Sequence, residues 1–170
     1  MIIKLIGVAF VIVSCGSVGF KIASNYKKEE NSLRNLVHIL NYMESELQYR
    51  LMPLPELCRQ VARTFSGIPG NIFTYFADEM EMQKCVEPAQ CITTVLNHTK
   101  SIPPITRTKL ELLGQFIGRF DLDGQIKDLE AVRIECETKL TLLCNNRESR
   151  LRSYQTLGLC AGAALAILFV

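Results

Sequence analysis

Asp121-Leu122-Asp123-Gly124 begins as a calcium-binding loop begins, with carboxylates at alternate positions ahead of a glycine. Such a loop needs a third oxygen ligand before its glycine and a Glu at its twelfth position, and the twelfth residue from Asp121 is Val132. The pair suits a helix start better: Asp121 or Asp123 as N-cap would accept amide hydrogens and face the positive end of the helix dipole. Cys15, Cys58, Cys85, Cys91, Cys136, Cys144 and Cys160 could bind zinc or pair as disulfides, but their number is odd and their spacing is not that of a zinc site. They read as unpaired, buried thiols in a reducing compartment. His38 falls beside an apolar helix face and His98 in a loop, and neither has the companions a metal needs. There is no glycine-rich phosphate cradle, no nucleophile elbow and no His-Glu pair at metalloprotease spacing. The chain is therefore expected to have no catalytic centre, cofactor, metal or small-molecule substrate.

Cys15 has two readings. Ile12-Val13-Ser14-Cys15 has the apolar, small, Cys order of a lipoprotein cleavage site, which would lipidate Cys15 and place the domain outside the cell; the sequon Asn97-His98-Thr99 would matter only there. However, the apolar run continues to Phe20, and Lys21, Lys27 and Lys28 follow. Ser153–Val170 is likewise uncharged, preceded by Arg147, Arg150 and Arg152. As helices, Met1–Phe20 and Ser153–Val170 would reach roughly 30 and 27 Å, close to the hydrocarbon thickness of a bilayer. The leading reading is a membrane hairpin: residues 1–28 a transmembrane helix with its basic flank, 29–146 a helical domain, and 147–170 a second flank and transmembrane helix. The flanking Lys and Arg place the domain in the cytoplasm. Gly158, Gly162 and Ala166 set small residues along one ridge of the second segment, as Cys15 and Gly19 do on the first, so these helices could pack closely.

Residues 29–146 carry 16 acidic and 12 basic side chains, so the net +2 of the chain hides an acidic domain with a basic collar. An acidic domain argues against nucleic acid. The collar suits anionic headgroups, at about 1 kcal/mol per basic residue near the surface.

The elements between the apolar ends all read as helix. Leu33, Leu36, Val37, Leu40, Met43 and Leu47 keep helical spacing until Pro53-Leu54-Pro55. Leu57, Val61, Ala62 and Phe65 mark a second helix, and Gly67-Ile68-Pro69-Gly70 a break. Ile72, Phe73, Phe76 and Met80 mark a third, and Ala89–Asn97 a fourth in which Thr93, Thr94 and Val95 lower the propensity. After Pro103-Pro104 a fifth runs from Thr106 to Phe120, faced by Leu110, Leu113, Phe116 and Ile117. Ile126, Leu129, Val132, Cys136, Leu140 and Leu143 define a last helix with no Pro or Gly between Gly124 and Leu157. The expected fold is all-α, an antiparallel bundle of about six helices flanked by the two transmembrane helices.

These residues resemble the stage III sporulation protein AB family of endospore-forming bacteria nearly end to end. The resemblance rests on Lys4-Leu5-Ile6-Gly7, on Leu40, Glu44, Glu46, Leu47 and Tyr49, and on Pro53-Leu54-Pro55-Glu56-Leu57. A later block adds Leu113-Gly114, Gly118-Arg119, Asp121, Gly124-Gln125, Lys127 and Leu129, then Tyr154, Leu157-Gly158 and Gly162. Two departures stand out: the family usually carries a Trp in the fourth helix, absent here, and Phe120 stands where a Ser is common. The resemblance implies a multi-pass component of the mother-cell membrane surrounding the forespore, within a secretion-like complex. It also implies a domain similar to that of type II secretion F proteins, which partner a cytoplasmic ATPase. On this view the protein is a non-catalytic scaffold that docks the complex's ATPase, the mother-cell AA protein, while its membrane helices meet other integral subunits. Glu44, Glu46 and Arg50, off the apolar stripe of the first helix, and Arg119 with Asp121 before the last, are the expected contacts.

Overall fold

Proline and glycine set the limits of the helices. This computed structural model describes the backbone of residues 2–50, 52–82, 87–99, 102–117 and 122–169, and leaves out the side chains of residues 2–20 and of most of 146–169. Six helices, and no strand, occupy the described residues: α1 (Ile2–Arg50), α2 (Leu54–Thr64), α3 (Ile68–Glu81), α4 (Pro88–His98), α5 (Pro104–Phe116) and α6 (Leu122–Phe169). The chain divides into two compact units, one of residues 1–30 with 141–170 and one of residues 31–140. The two segments expected to cross a membrane, with Gly158 and Gly162, fall mostly on residues whose side chains are outside the description. Among the described residues no helix is long and apolar enough to cross a membrane.

The unit of residues 31–140 is built on the apolar stripe of α1. Leu33, Leu36, Val37, Leu40, Met43 and Leu47 are all buried, and so is Ile39, which broadens the face. Burying each such side chain contributes about 1.5–3 kcal/mol, so this helix is the spine of the unit. Pro53 precedes α2, which buries Leu57, Cys58 and Val61, while Phe65 at its end meets the Tyr42 ring edge-on at 5.8 Å. The expected break over residues 67–70 contracts to Gly67, whose φ of 85° and ψ of −151° suit only glycine. Ile68, Pro69 and Gly70 are already the first turn of α3, where Pro69 needs no amide donor. α3 then buries Ile72, Phe73, Phe76 and Ala77, leaving Met80 half-buried.

α4 packs without a tryptophan, through Cys91, Ile92, Val95 and Leu96. Thr93 and Thr94 donate their hydroxyls to Ala89 O at 2.8 Å and Gln90 O at 2.9 Å, which satisfies them inside the helix. His98, expected in a loop, is the last residue of α4 and is exposed. α5 starts and stops earlier than expected, at Pro104 and Phe116, because Ile117 turns extended at ψ 138°. Leu110, Leu113 and Ile117 are buried and Phe116 is half-buried. α6 runs unbroken for 48 residues. Leu129, Val132 and Cys136 are buried, whereas Ile126, Leu140 and Leu143 are half-buried. Asp123 lies within the first turn of α6 and not at its cap; Asp121 is outside the described residues.

A narrow slot of about 20 Å³ opens between α1, α3 and α5, lined by Ser32, Leu36, Ile39, Ile68, Phe73 and Thr106 among others. The Thr106 side chain is 4% exposed and its hydroxyl meets no hydrogen-bond partner among the described residues. A buried, unpaired hydroxyl costs about 1–3 kcal/mol. Thr106→Val, which replaces it by a methyl of nearly the same size, is therefore expected to stabilise the chain by about 1 kcal/mol. A higher urea midpoint checks this; a lower one would mean that the hydroxyl is satisfied.

Candidate partner-docking surface

Glu44 and Glu46 lie two residues apart on α1, so they leave the helix in different directions. Glu44 points at α6: its Oε2 accepts a hydrogen bond from Arg133 Nε at 3.0 Å, and both side chains are 19% exposed. Arg133 also donates through Nη1 to Glu137 Oε1 at 3.0 Å, and its Nη2 lies 3.7 Å from Glu130 Oε1. One guanidinium thus answers three carboxylates from two helices. The Glu137 hydrogen bond, then Glu44, holds Arg133 above its ordinary pKa against the opposing effect of desolvation. Glu44 is in this way committed to a link within the domain.

Glu46 is more enclosed, at 14% exposure, and pairs with Arg50 Nε at 3.3 Å, although its Oε2 finds no well-aligned hydrogen bond. Arg50 itself is 60% exposed. Of the three α1 candidates Arg50 is the most exposed. Arg119 and Asp121 are outside the described residues.

The other helices are tied by similar pairs. Lys109 of α5 is bonded to Glu135 of α6, and Arg107 of α5 donates to Asn97 Oδ1 at 2.5 Å and Glu111 Oε1 at 3.1 Å. Arg59 of α2 donates through Nε to Glu81 Oε1 at 2.7 Å and lies 3.3 Å from Asp78 Oδ1, both on α3. The Arg59 hydrogen bond holds the Glu81 carboxyl below its usual range. Cys58 and Cys136 are buried without disulfides; burial pushes the Cys58 thiol up strongly and the Cys136 thiol to about 11, against a smaller opposing pull from Lys109. Neither has the thiolate character of a nucleophile. No group of three or more potential metal ligands gathers among the described residues.

Sequence reasoning missed Arg133, the centre of the network. Its partners within α6 were readable as Glu130 and Glu137 at three and four residues, but Glu44 is 89 residues away. Arg133→Ala is expected to cost about 2 kcal/mol by leaving Glu44 half-buried among like charges, and a double-mutant cycle with Glu44→Ala should return a coupling of about 1 kcal/mol. Additive urea midpoints would show that this pair holds nothing together.

Some large apolar side chains are also exposed among the described residues. Ile68 and Tyr75 on α3, and Met82 just past its end, are 45%, 60% and 62% exposed. Beside Tyr75 an open groove of about 340 Å³ runs between α3 and α4, lined by Tyr75, Glu79, Thr94, Val95 and His98.

Comparison with known proteins agrees with this architecture. Stage III sporulation protein AB of Bacillus subtilis (strain 168) is 23% identical over 172 residues, covering 99% of each chain. A solved structure of a stage III sporulation protein AB superposes with a TM-score of 0.60 at 19% identity, covering 72% of this chain and 98% of the other, and so shares the fold. The family description "Stage III sporulation protein AB" matches residues 4–170, and the chain belongs to that family.

Proposed function

We propose that this sporulation protein is a non-catalytic platform in the mother-cell membrane facing the forespore, whose acidic helical domain docks the cytoplasmic ATPase of a secretion-like complex. The observation that carries the reading is how the domain uses its polar groups. Arg59, Arg107, Lys109 and Arg133 join helix to helix, and no paired acid, base and nucleophile converge on a cavity among the described residues. Such a surface is made for holding a shape. The apolar ends, Met1–Phe20 and Ser153–Val170, with Lys and Arg on their inner flanks, support two membrane anchors and a cytoplasmic domain. Gly158 and Gly162 support close packing against other integral subunits.

Topology is tested by labelling Ser101→Cys in a cysteine-depleted variant with an impermeant maleimide. Labelling only after permeabilisation is the expected result. Labelling of intact cells would place the domain outside and favour a lipoprotein anchored at Cys15. Docking is tested by co-purification of the ATPase with the detergent-solubilised full chain from sporulating cells, where absence of the ATPase would sink the platform reading.

A further inference from the structure

Between α2 and α5 the chain uses its cations internally. Arg59, Arg63, Arg107 and Lys109 of α2 and α5 each pair with a carboxylate, and α3 and α4 carry no Lys or Arg. Lys21, Lys27 and Lys28 of α1 are exposed, and none of them makes an ion pair or hydrogen bond among the described residues. Helix geometry separates the three, because neighbours on a helix surface stand three and four residues apart. Around Lys21 those positions hold Ser17, Val18, Ser24 and Asn25, and around Lys28 they hold Ser24, Asn25, Asn31 and Ser32. Neither lysine has a carboxylate there. Lys27 has Glu30 three residues on, and the exposed lysines of α6 are likewise answered, Lys127 by Asp123 and Glu130 and Lys139 by Glu135. Two ammonium groups are therefore left without a counter-charge on their own helix.

These two also share a side of α1. Seven residues fall about 20° short of two full helical turns, so Lys21 and Lys28 project along one line about 10 Å apart, with the exposed Asn25 between them. What lies on each side of the line selects its occupant. Toward the N-terminus residues 5–20 carry no charge, so Lys21 stands at the edge of an apolar stretch. Toward the C-terminus Glu29 is half-buried and Glu30 buried, each with a partner of its own. An anion that also brings acyl chains matches both the cations and the apolar stretch, whereas a free phosphate would leave the stretch unused. We propose that Lys21 and Lys28, with the Asn25 amide between them, bind the headgroup of an anionic phospholipid, the lysine stems lying along the helix and the ammonium groups on the phosphate. This rests on the membrane anchoring proposed above, and adds the lipid that the first segment selects and the residues that select it.

The chain has no tryptophan, so Phe20→Trp places a single fluorescent reporter beside Lys21. The full chain carrying it is reconstituted into phosphatidylcholine vesicles that contain brominated phosphatidylglycerol or brominated phosphatidylcholine, and the quenching gives the relative affinity of the two lipids at this place. A basic residue near the surface favours an anionic lipid by a factor of about five. The expected result is a preference for phosphatidylglycerol of about fivefold or more, reduced by about threefold or more in Lys21→Gln with Lys28→Gln and unchanged in Lys127→Gln. A preference that survives the double substitution would overturn the proposal. So would one abolished by inorganic phosphate at constant ionic strength, which would assign the line to a free anion. Quenching by both lipids without preference would overturn this proposal and leave membrane anchoring in place. No quenching by either lipid would sink the anchoring, and this proposal with it.

Discussion

Gly70→Ala is expected to lower the stability of the chain by about 3 kcal/mol, and to cost more than Gly67→Ala even though Gly67 is the glycine with the unusual backbone. Two effects compete at position 70. Alanine inside a helix is favoured over glycine by about 1 kcal/mol, and Gly70, within the first turn of α3, has no positive φ to protect. Against that gain, a Cβ at Gly70 would sit 2.0 Å from the carbonyl oxygen of Phe65, with Ala62 O at 3.3 Å. Both neighbours are backbone, so no rotamer change relieves the overlap. The start of α3 has to move by more than 1 Å from the end of α2, which disturbs packing at native density where small gaps already forfeit contact energy. At Gly67 a Cβ meets nothing within 4 Å, so the cost there is conformational, about 1–3 kcal/mol. Urea unfolding of the full chain in mild detergent, read as the shift in midpoint for each variant, tests the ranking. If Gly67→Ala is the more damaging change, α2 and α3 do not approach as closely as this.

That close approach also shows where reading the chain stops. Gly67-Ile68-Pro69-Gly70 has the composition of a loop, yet only Gly67 breaks the helix; Pro69 serves the first turn of α3, and Gly70 is glycine for lack of room. Composition carries no information about what lies across the turn. Periodicity served the spine well, because α1 buries one wide face, and all six residues on its expected stripe are inside. It missed Ile39 and Ala77, which lie on the flanks of their helices and are covered by neighbours that a one-dimensional pattern does not contain. The same limit applied to the site. Glu44 reads as a partner contact because it lies off the stripe, whereas in the fold it accepts a hydrogen bond from Arg133 of α6. Conversely, Tyr75 looks like core material by residue type and is outside.

Gly114→Ala is expected to cost about 2 kcal/mol, and the loss should be partly recovered when Ile92 is also shortened. Gly114 is buried in α5, where a Cβ would lie 2.2 Å from Ile92 Cγ2, 3.2 Å from Ile92 Cβ and 3.4 Å from Ala89 Cα, all on α4. A long flexible side chain could yield. Ile92 cannot, because it is β-branched on a helix, with one strongly preferred χ1, and is fully buried. Overpacking of this kind costs about 1–3 kcal/mol or more, and exceeds the helix-propensity gain of about 1 kcal/mol. Ile92→Ala removes Cγ2 and leaves a cavity, at about 2–5 kcal/mol alone. In the double variant the alanine at 114 occupies part of that space, so the combined loss should fall short of the sum by about 1–2 kcal/mol. Strict additivity in urea midpoints would mean that α4 and α5 do not meet at this pair. Leu113-Gly114 is among the residues on which the family resemblance rests, and a helix crossing with no room for a side chain supplies its physical reason. α4 forms one wall of the groove beside Tyr75, so the crossing at Gly114 also holds Thr94, Val95 and His98 in place opposite α3.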